Sequence, residues 1–389
     1  MSADIESRRI ARSTPRQARR RLWLEVHSYL GVFVGALLVV FGLTGSILVF
    51  WQELDEWLNP QLLTVPVPVE GAAHPLCELI AVAERAAAPD SRITAVFGAR
   101  NREGAFIMNF RQSSGDWQRI YVDPYRANVV GTRNFGAHEW VPGYVLDVVF
   151  KMHYTLFLGE NGRLVTAICA LFLLLSLSTG LVVWWPVTGH WRRALSIKWH
   201  VSAARLNFDL HKMVSLYTLI PLAAILLSGV YMNVSDPFIL VTQWFSPATR
   251  GTQNDLRSIL PASRTRPIRP EEVWFIVTER YPEGEFTGIY LPDSATGVYL
   301  VIQRHVPMLS AFWAERTVAV DQYSGAILDV RDPATRRSAG ETFLDWQWPL
   351  HSGQAFGMTG RLLVFFSGLA CPVIYATGFL MWWRKRRLR

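Results

Sequence analysis

The chain has 389 residues, half of them hydrophobic, with 16 Trp and a formal net charge of +8. Mean hydropathy is positive, which sets it apart from an ordinary soluble enzyme of this length, where long charge-free apolar runs are not expected. The net charge does not indicate a nucleic-acid binder, because 17 of the 39 basic residues gather in three short segments expected on one side of the membrane.

The first of these segments is an arm, residues 1–26, ending in RRLWLEV and holding seven Arg. A charge-free run over 28–50 follows, and three more lie at 164–185, 213–232 and 362–383, each of 20 to 23 residues. About 20 apolar residues cross the hydrocarbon core as a helix, so the runs predict spans at 27–51, 164–185, 212–232 and 362–383. The first is longer than the apolar core of a signal peptide and lacks an A-x-A-like end before WQELDEW, so it is expected to stay as an anchor. The loop 186–211 with Lys212, and the tail 384–389, carry five basic residues each. Basic segments stay on the cytoplasmic side, so both termini are expected inside and the long segments outside. Trp51, Trp57, Trp184, Trp185, Trp382 and Trp383 fall at the expected interfaces.

The outer segments are expected to form two small α+β domains, 52–139 and 233–345, each followed by an interfacial stretch, 140–163 and 346–361. PLCELIAVAERAAA (75–88) and PEEVWFIVTERY (270–281) space their apolar residues as helices do. ITAVFGA, GAFIMNF and WQRIYVD, then FTGIYLP, GVYLVIQ and RTVAVDQ, alternate at period two between turn residues and predict antiparallel strands. Cys169 and Cys371 lie in spans and Cys77 outside, so no disulfide framework is expected.

The chain repeats itself. An offset of 198 relates His153 to His351, Gly159 to Gly357, Gly162–Arg163–Leu164 to Gly360–Arg361–Leu362, Thr179–Gly180 to Thr377–Gly378, and Trp184–Trp185 to Trp382–Trp383. It also aligns VDPYRANVVGTR with VDQYSGAILDVR. His27 and His211 form a weaker pair, each followed 18 residues later by a glycine, Gly45 and Gly229. The repeat therefore sorts four His into two couples, His27 with His211 at the inner face and His153 with His351 at the outer face. Two equivalent imidazoles facing across a pseudo-twofold axis suit the two axial positions of a haem iron, leaving none for oxygen or substrate. A zinc site ordinarily wants four ligands and each face offers one couple. The spans hold no charged residue, which speaks against an ion-coupled transporter. Gly31, Gly35, Gly180 and Gly378 offer close approach, although small residues in spans also serve helix packing. Arg163 and Arg361 follow the outer His by ten residues and can meet propionates or an anionic substrate, or snorkel to the interface. His74, His138, His190, His200 and His305 lack repeat partners and read as surface residues, with His138 and His305 free to touch a substrate. Trp140, Trp346 and Trp348 can line an outer site or belong to the aromatic belt.

The H-x8-G-R-L lead-in, the T-G-x3-W-W span ends and the V-D-x-Y pattern resemble the PepSY-associated transmembrane family, often called iron-regulated membrane proteins, from about residue 20 onward. The match is similar to the inner-membrane ferrisiderophore reductases of the ferrioxamine type. That resemblance implies a bacterial inner-membrane four-helix bundle with two PepSY-like periplasmic domains and two haems b on His27, His211, His153 and His351. It also implies a haem-dependent oxidoreductase that reduces a ferric siderophore, of hydroxamate type, in the periplasm. No cytoplasmic piece is long enough for a dinucleotide fold and none carries G-x-G-x-x-G, so electrons are expected from a separate flavoprotein, carrier or quinol. The other readings are a siderophore or iron permease, for which Pro221 and Pro372 offer only kinks, and a sensory or peptidase-regulating module.

Overall fold

The computed structural model describes residues 15–69, 71–135, 144–186, 189, 191–248, 256–262, 266–306, 315–332, 335 and 338–387. The chain enters through helix α1 (Pro15–Phe33), which continues as α2 (Gly35–Val49) after a bend of 54°. Two short helices, α3 (Trp51–Leu58) and α4 (Pro60–Leu63), lead to α5 (Leu76–Ala86) and strands β1 (Arg92–Phe97), β2 (Phe106–Arg111), β3 (Trp117–Asp123) and β4 (Asn128–Phe135). Helix α6 (Val145–Thr155) then turns into the long α7 (Gly159–Trp184).

The second half follows the same plan. After the short α8 (Trp191–Ala194) come α9 (Ala203–Tyr217) and α10 (Leu219–Asn233), bent by 59°. Then come α11 (Ser235–Gln243), α12 (Pro270–Arg280) and strands β5 (Glu285–Tyr290), β6 (Val298–Arg304), β7 (Glu315–Asp321) and β8 (Ile327–Arg331). Helices α13 (Ala339–Asp345) and α14 (Gln347–Ser352) precede α15 (Gly357–Arg387). Helices α7 and α15 are each long and apolar enough to cross a membrane, and the two bent pairs also reach that length if each is one span.

The two outer units are not separate. Their eight strands form one antiparallel sheet in the order β4-β3-β2-β1-β5-β6-β7-β8. The seam is the pairing of β1 with β5, where Ala95 faces Tyr290, Val96 faces Ile289 and Phe97 faces Gly288. In α5, Leu76, Leu79, Ile80 and Ala83 recur at helical spacing, and Leu79, Ile80 and Ala83 bury against the sheet beside Val273 and Val277 of α12. Below them lie Val96, Met108, Phe110, Ile120, Ile289, Val301 and Val318, all almost fully buried. A single core thus spans both halves, and each large side chain in it contributes about 1.5–3 kcal/mol. The repeated V-D-x-Y motif is a turn. The Asp123 carboxylate accepts from the backbone N–H of Tyr125 at 2.8 Å, and Asp321 does the same for Tyr323 at 2.9 Å.

Helix packing also follows the repeat. Helix α1 lies on α7 and α9 on α15, while α6 lies on α2 and α14 on α10. Between halves, α2 packs on α15 and α10 on α7. The Gly of each G-R-L motif makes the turn into the last span possible. A Cβ on Gly162 would overlap the Thr155 carbonyl, and one on Gly360 would overlap that of Gly353. The three cysteines are free thiols.

Candidate functional site

Each of the four sequence-selected histidines is held by the same device. His27, on α1, has its Nδ1 2.9 Å from the Ser176 carbonyl of α7, and His211, on α9, is 3.0 Å from that of Ile374 on α15. His351, on α14, is 3.0 Å from the Ile225 carbonyl of α10. His153, on α6, meets the Phe41 carbonyl and, at 2.9 Å, the Thr44 hydroxyl of α2. A carbonyl oxygen only accepts, so each Nδ1 carries the proton and donates it. That fixes the tautomer and leaves every Nε2 with a free lone pair. Among the described residues no Nε2 of the four makes a hydrogen bond.

Four glycines of the spans, Gly45, Gly180, Gly229 and Gly378, seat these rings. A Cβ added at Gly45 would lie 3.0 Å from Cε1 of His153, at Gly180 2.8 Å from His27, at Gly229 3.4 Å from His351 and at Gly378 3.0 Å from His211. Sequence spacing alone made Gly45 and Gly229 companions of the inner couple; the structure puts them against the outer one.

The couples face as the repeat implies. The His27 and His211 ring centroids are 6.3 Å apart with planes inclined by 70°, and those of His153 and His351 are 6.1 Å apart at 64°. Two metal–imidazole bonds of about 2 Å, with roughly 1 Å from each nitrogen to its ring centre, give a similar spacing. Among the described residues no three His, Cys, Asp or Glu cluster as metal ligands. Two nitrogens per centre suit a metal that brings its own equatorial ligands. Beside the inner couple lies a cavity of about 700 Å³ lined by His27, His211, Gly31, Gly35, Gly180 and Gly378. A Cβ at Gly31 would meet nothing within 4 Å. Arg20, Arg21, Lys212, Lys385 and Arg386 also line it, a cationic rim that in sequence reads only as a topology signal. Such a volume is in the range of cofactor sites.

The two arginines singled out by sequence have other partners. Arg361 grips Glu53 of α3 with two bonds of 2.8 Å, reaches the Val49 carbonyl, and covers the Phe50 ring at 4.6 Å. It holds the Glu53 carboxyl below the usual range, first through those hydrogen bonds. Arg163 pairs with Glu160 at 3.3 Å near the surface. His74 and His305 are exposed and pair with Glu78 and Glu285, and His200 is exposed. Trp346 immediately precedes α14, the helix of His351, and Trp348 lies within it, exposed. His138, His190 and Trp140 lie outside the described residues.

One buried cluster had no sequence signal beyond its charges. Arg133 of β4 donates to Asp55 of α3 at 3.0 Å and to Asp147 of α6 at 2.6 Å, and Asn59 completes Asp55 at 2.6 Å. Its repeat partner is Arg331 with Asp345. Asp147 and Asp345 each lie six residues before an outer histidine, so β4 is tied to α6, which carries His153, and β8 to the end of α13, just before the helix that carries His351.

No curated protein shows significant similarity to the chain. The family model described as the PepSY-associated TM region matches residues 24–385, nearly the whole length. The chain belongs to that family and is accordingly a membrane protein.

Proposed function

We propose that this protein is a four-span, two-haem electron carrier, with one haem b between His27 and His211 and another between His153 and His351. The observation that carries the reading is the pair of equivalent couples, each with its two ring centroids about 6 Å apart and both Nε2 atoms unprotonated, and with no three-residue metal-ligand cluster among the described residues. The bound groups would supply reversible one-electron chemistry. His27 with His211 and His153 with His351 would hold the two groups through neutral imidazoles. The basic segments support a topology with both termini in the bacterial cytoplasm and the sheet in the periplasm. In that reading a separate donor would supply the electron at the cytoplasmic face, and a ferric siderophore, hydroxamate in type, would be the acceptor at the outer face. Iron(III) is hard and oxygen donors hold it tightly; after reduction they hold it far more weakly.

Purified protein tests this directly. A red preparation whose Soret band sharpens on dithionite, with two haems per chain, supports the reading, and a colourless preparation from iron-replete cells overturns it. His27→Ala and His211→Ala are expected to remove one and the same haem, and His153→Ala and His351→Ala the other. Anaerobic reoxidation of the reduced protein by a panel of ferric chelates then checks the acceptor, and no reaction with any of them points elsewhere.

A further inference from the structure

The four histidine cradles share more than a carbonyl. A hydroxyl stands three residues after each accepting carbonyl and immediately before each glycine: Thr44–Gly45, Thr179–Gly180, Ser228–Gly229 and Thr377–Gly378. The Thr44, Ser228 and Thr377 oxygens lie 2.9, 3.0 and 3.0 Å from Nδ1 of His153, His351 and His211, and Thr179 lies 3.4 Å from His27. All four are buried. A Ser or Thr within a helix commonly bonds back to its own turn, and these do. Thr44 donates to Val40, Thr179 to Ser176, Ser228 to Ala224 and Thr377 to Val373, at 2.6 to 2.9 Å. That back-bond uses the single hydroxyl proton. The oxygen can then only accept towards the ring, and the donor is the imidazole Nδ1–H.

We infer that Thr44, Thr179, Ser228 and Thr377 are positioning residues for the four imidazoles. Each provides a second acceptor that, with the backbone carbonyl, pins the Nδ1–H tautomer and aims Nε2 at the centre of its couple. The inference rests on the haem reading above and assigns these hydroxyls an electronic task within it. Acceptors on the far nitrogen make an imidazole a stronger donor to its metal and stabilise the oxidised form. Because the cradles of one couple come from different spans than those of the other, the two centres can be adjusted separately.

The test uses the full-length protein with haem bound. Potentiometric titration of Thr377→Val is expected to show the inner midpoint potential raised and the outer one unchanged, with both haems retained. Thr44→Val is expected to raise the outer potential alone. Thr179→Val, starting from the longest contact, is expected to shift the inner potential less than Thr377→Val. Thr377→Ser restores the acceptor and is expected to bring the potential back towards wild type. Electron paramagnetic resonance of the ferric protein is expected to shift one low-spin signal in each Val variant. Two distinct potentials in the wild type that neither Thr377→Val nor Thr44→Val moves overturn this inference while leaving the haem reading intact. Wild-type protein without haem overturns both. A Val variant that loses its haem and regains it, unshifted, as Ser also supports pinning by the hydroxyl, whereas loss that persists in Ser assigns the position to packing and overturns the inference.

Discussion

Arg133 holds its guanidinium between two buried carboxylates, Asp55 and Asp147, each on a different helix. Replacing it with Met would leave both acids buried without a partner, a loss of about 3–5 kcal/mol for a broken buried pair. The melting temperature of detergent-solubilised Arg133→Met is expected to fall steeply, while Arg331→Met, whose pair with Asp345 is more exposed, is expected to fall less. An equal effect of the two would remove the role given to burial. Glu53 permits a pH prediction. Arg361 holds its folded-state carboxyl below the ordinary value of about 4.3. A lowered carboxylate stabilises the fold above that ordinary value, and the contribution disappears as pH falls through the folded-state value. Below about pH 4.3 the melting temperature of Glu53→Gln is therefore expected to depend less on pH than that of wild type, with the acid limbs compared directly.

At the scale of elements, the two bent pairs break at Val34 and Thr218, positions related by the same offset as His27 and His211. Pro221 follows only the second break and Leu37 occupies its place in the first, yet the bends are 54° and 59°. The proline is therefore not the cause, and Pro221→Ala is expected to keep the inner haem and its spectrum. The α2–α15 contact is stricter. A Cβ on Gly42 would come within 2.7 Å of the Gly368 carbonyl and of the Cys371 Cβ, and Ser46 donates to the Phe365 carbonyl at 2.8 Å. Gly42→Val is expected to force these helices apart at about 1–3 kcal/mol or more and to lower haem content, measured as Soret absorbance per protein.

Much of this level could be read in advance. The charge-free runs, the two outer helices, six of the eight strands and the four histidines follow from local pattern and from the 198-residue offset. Strands β4 and β8 were harder, since NVVGTRNF carries Gly131 and Arg133 where alternation would place apolar residues. The β1–β5 seam has no local signal, because a strand edge does not announce a partner some 190 residues away. The two inner cradles were visible as the Thr179–Gly180 and Thr377–Gly378 repeat and the outer ones only as Gly45 and Gly229, but a small residue in a span carries no mark distinguishing a seat for a ring from helix packing.

For the whole molecule, three sites share one symmetry. In the seam, Val96 pairs with Ile289, which holds the same place in β5 (fifth residue) as Val96 does in β1, and the flanking pairs mirror each other about it. The inner and outer couples likewise join each histidine to its equivalent. Each half holds its two histidines with its own spans, and each couple takes one histidine from each half. Chains 1–188 and 189–389, expressed together, are expected to assemble into a complex with the full spectrum, measured by co-purification on a tag on either piece. Separate pieces without colour, found together with an intact full-length control, would show that covalent connection is required.

The symmetry is imperfect. Asp55 clasps Arg133 but its repeat counterpart is Ile239, and the Gly42–Gly368 crossing has Leu226 and Ala170 in the other half. A true homodimer would have to present any visitor on its axis with two identical walls. Joining the halves in one chain released them from that rule, so that a chiral, lopsided molecule arriving above the outer histidines can be met by unlike surfaces on its two flanks.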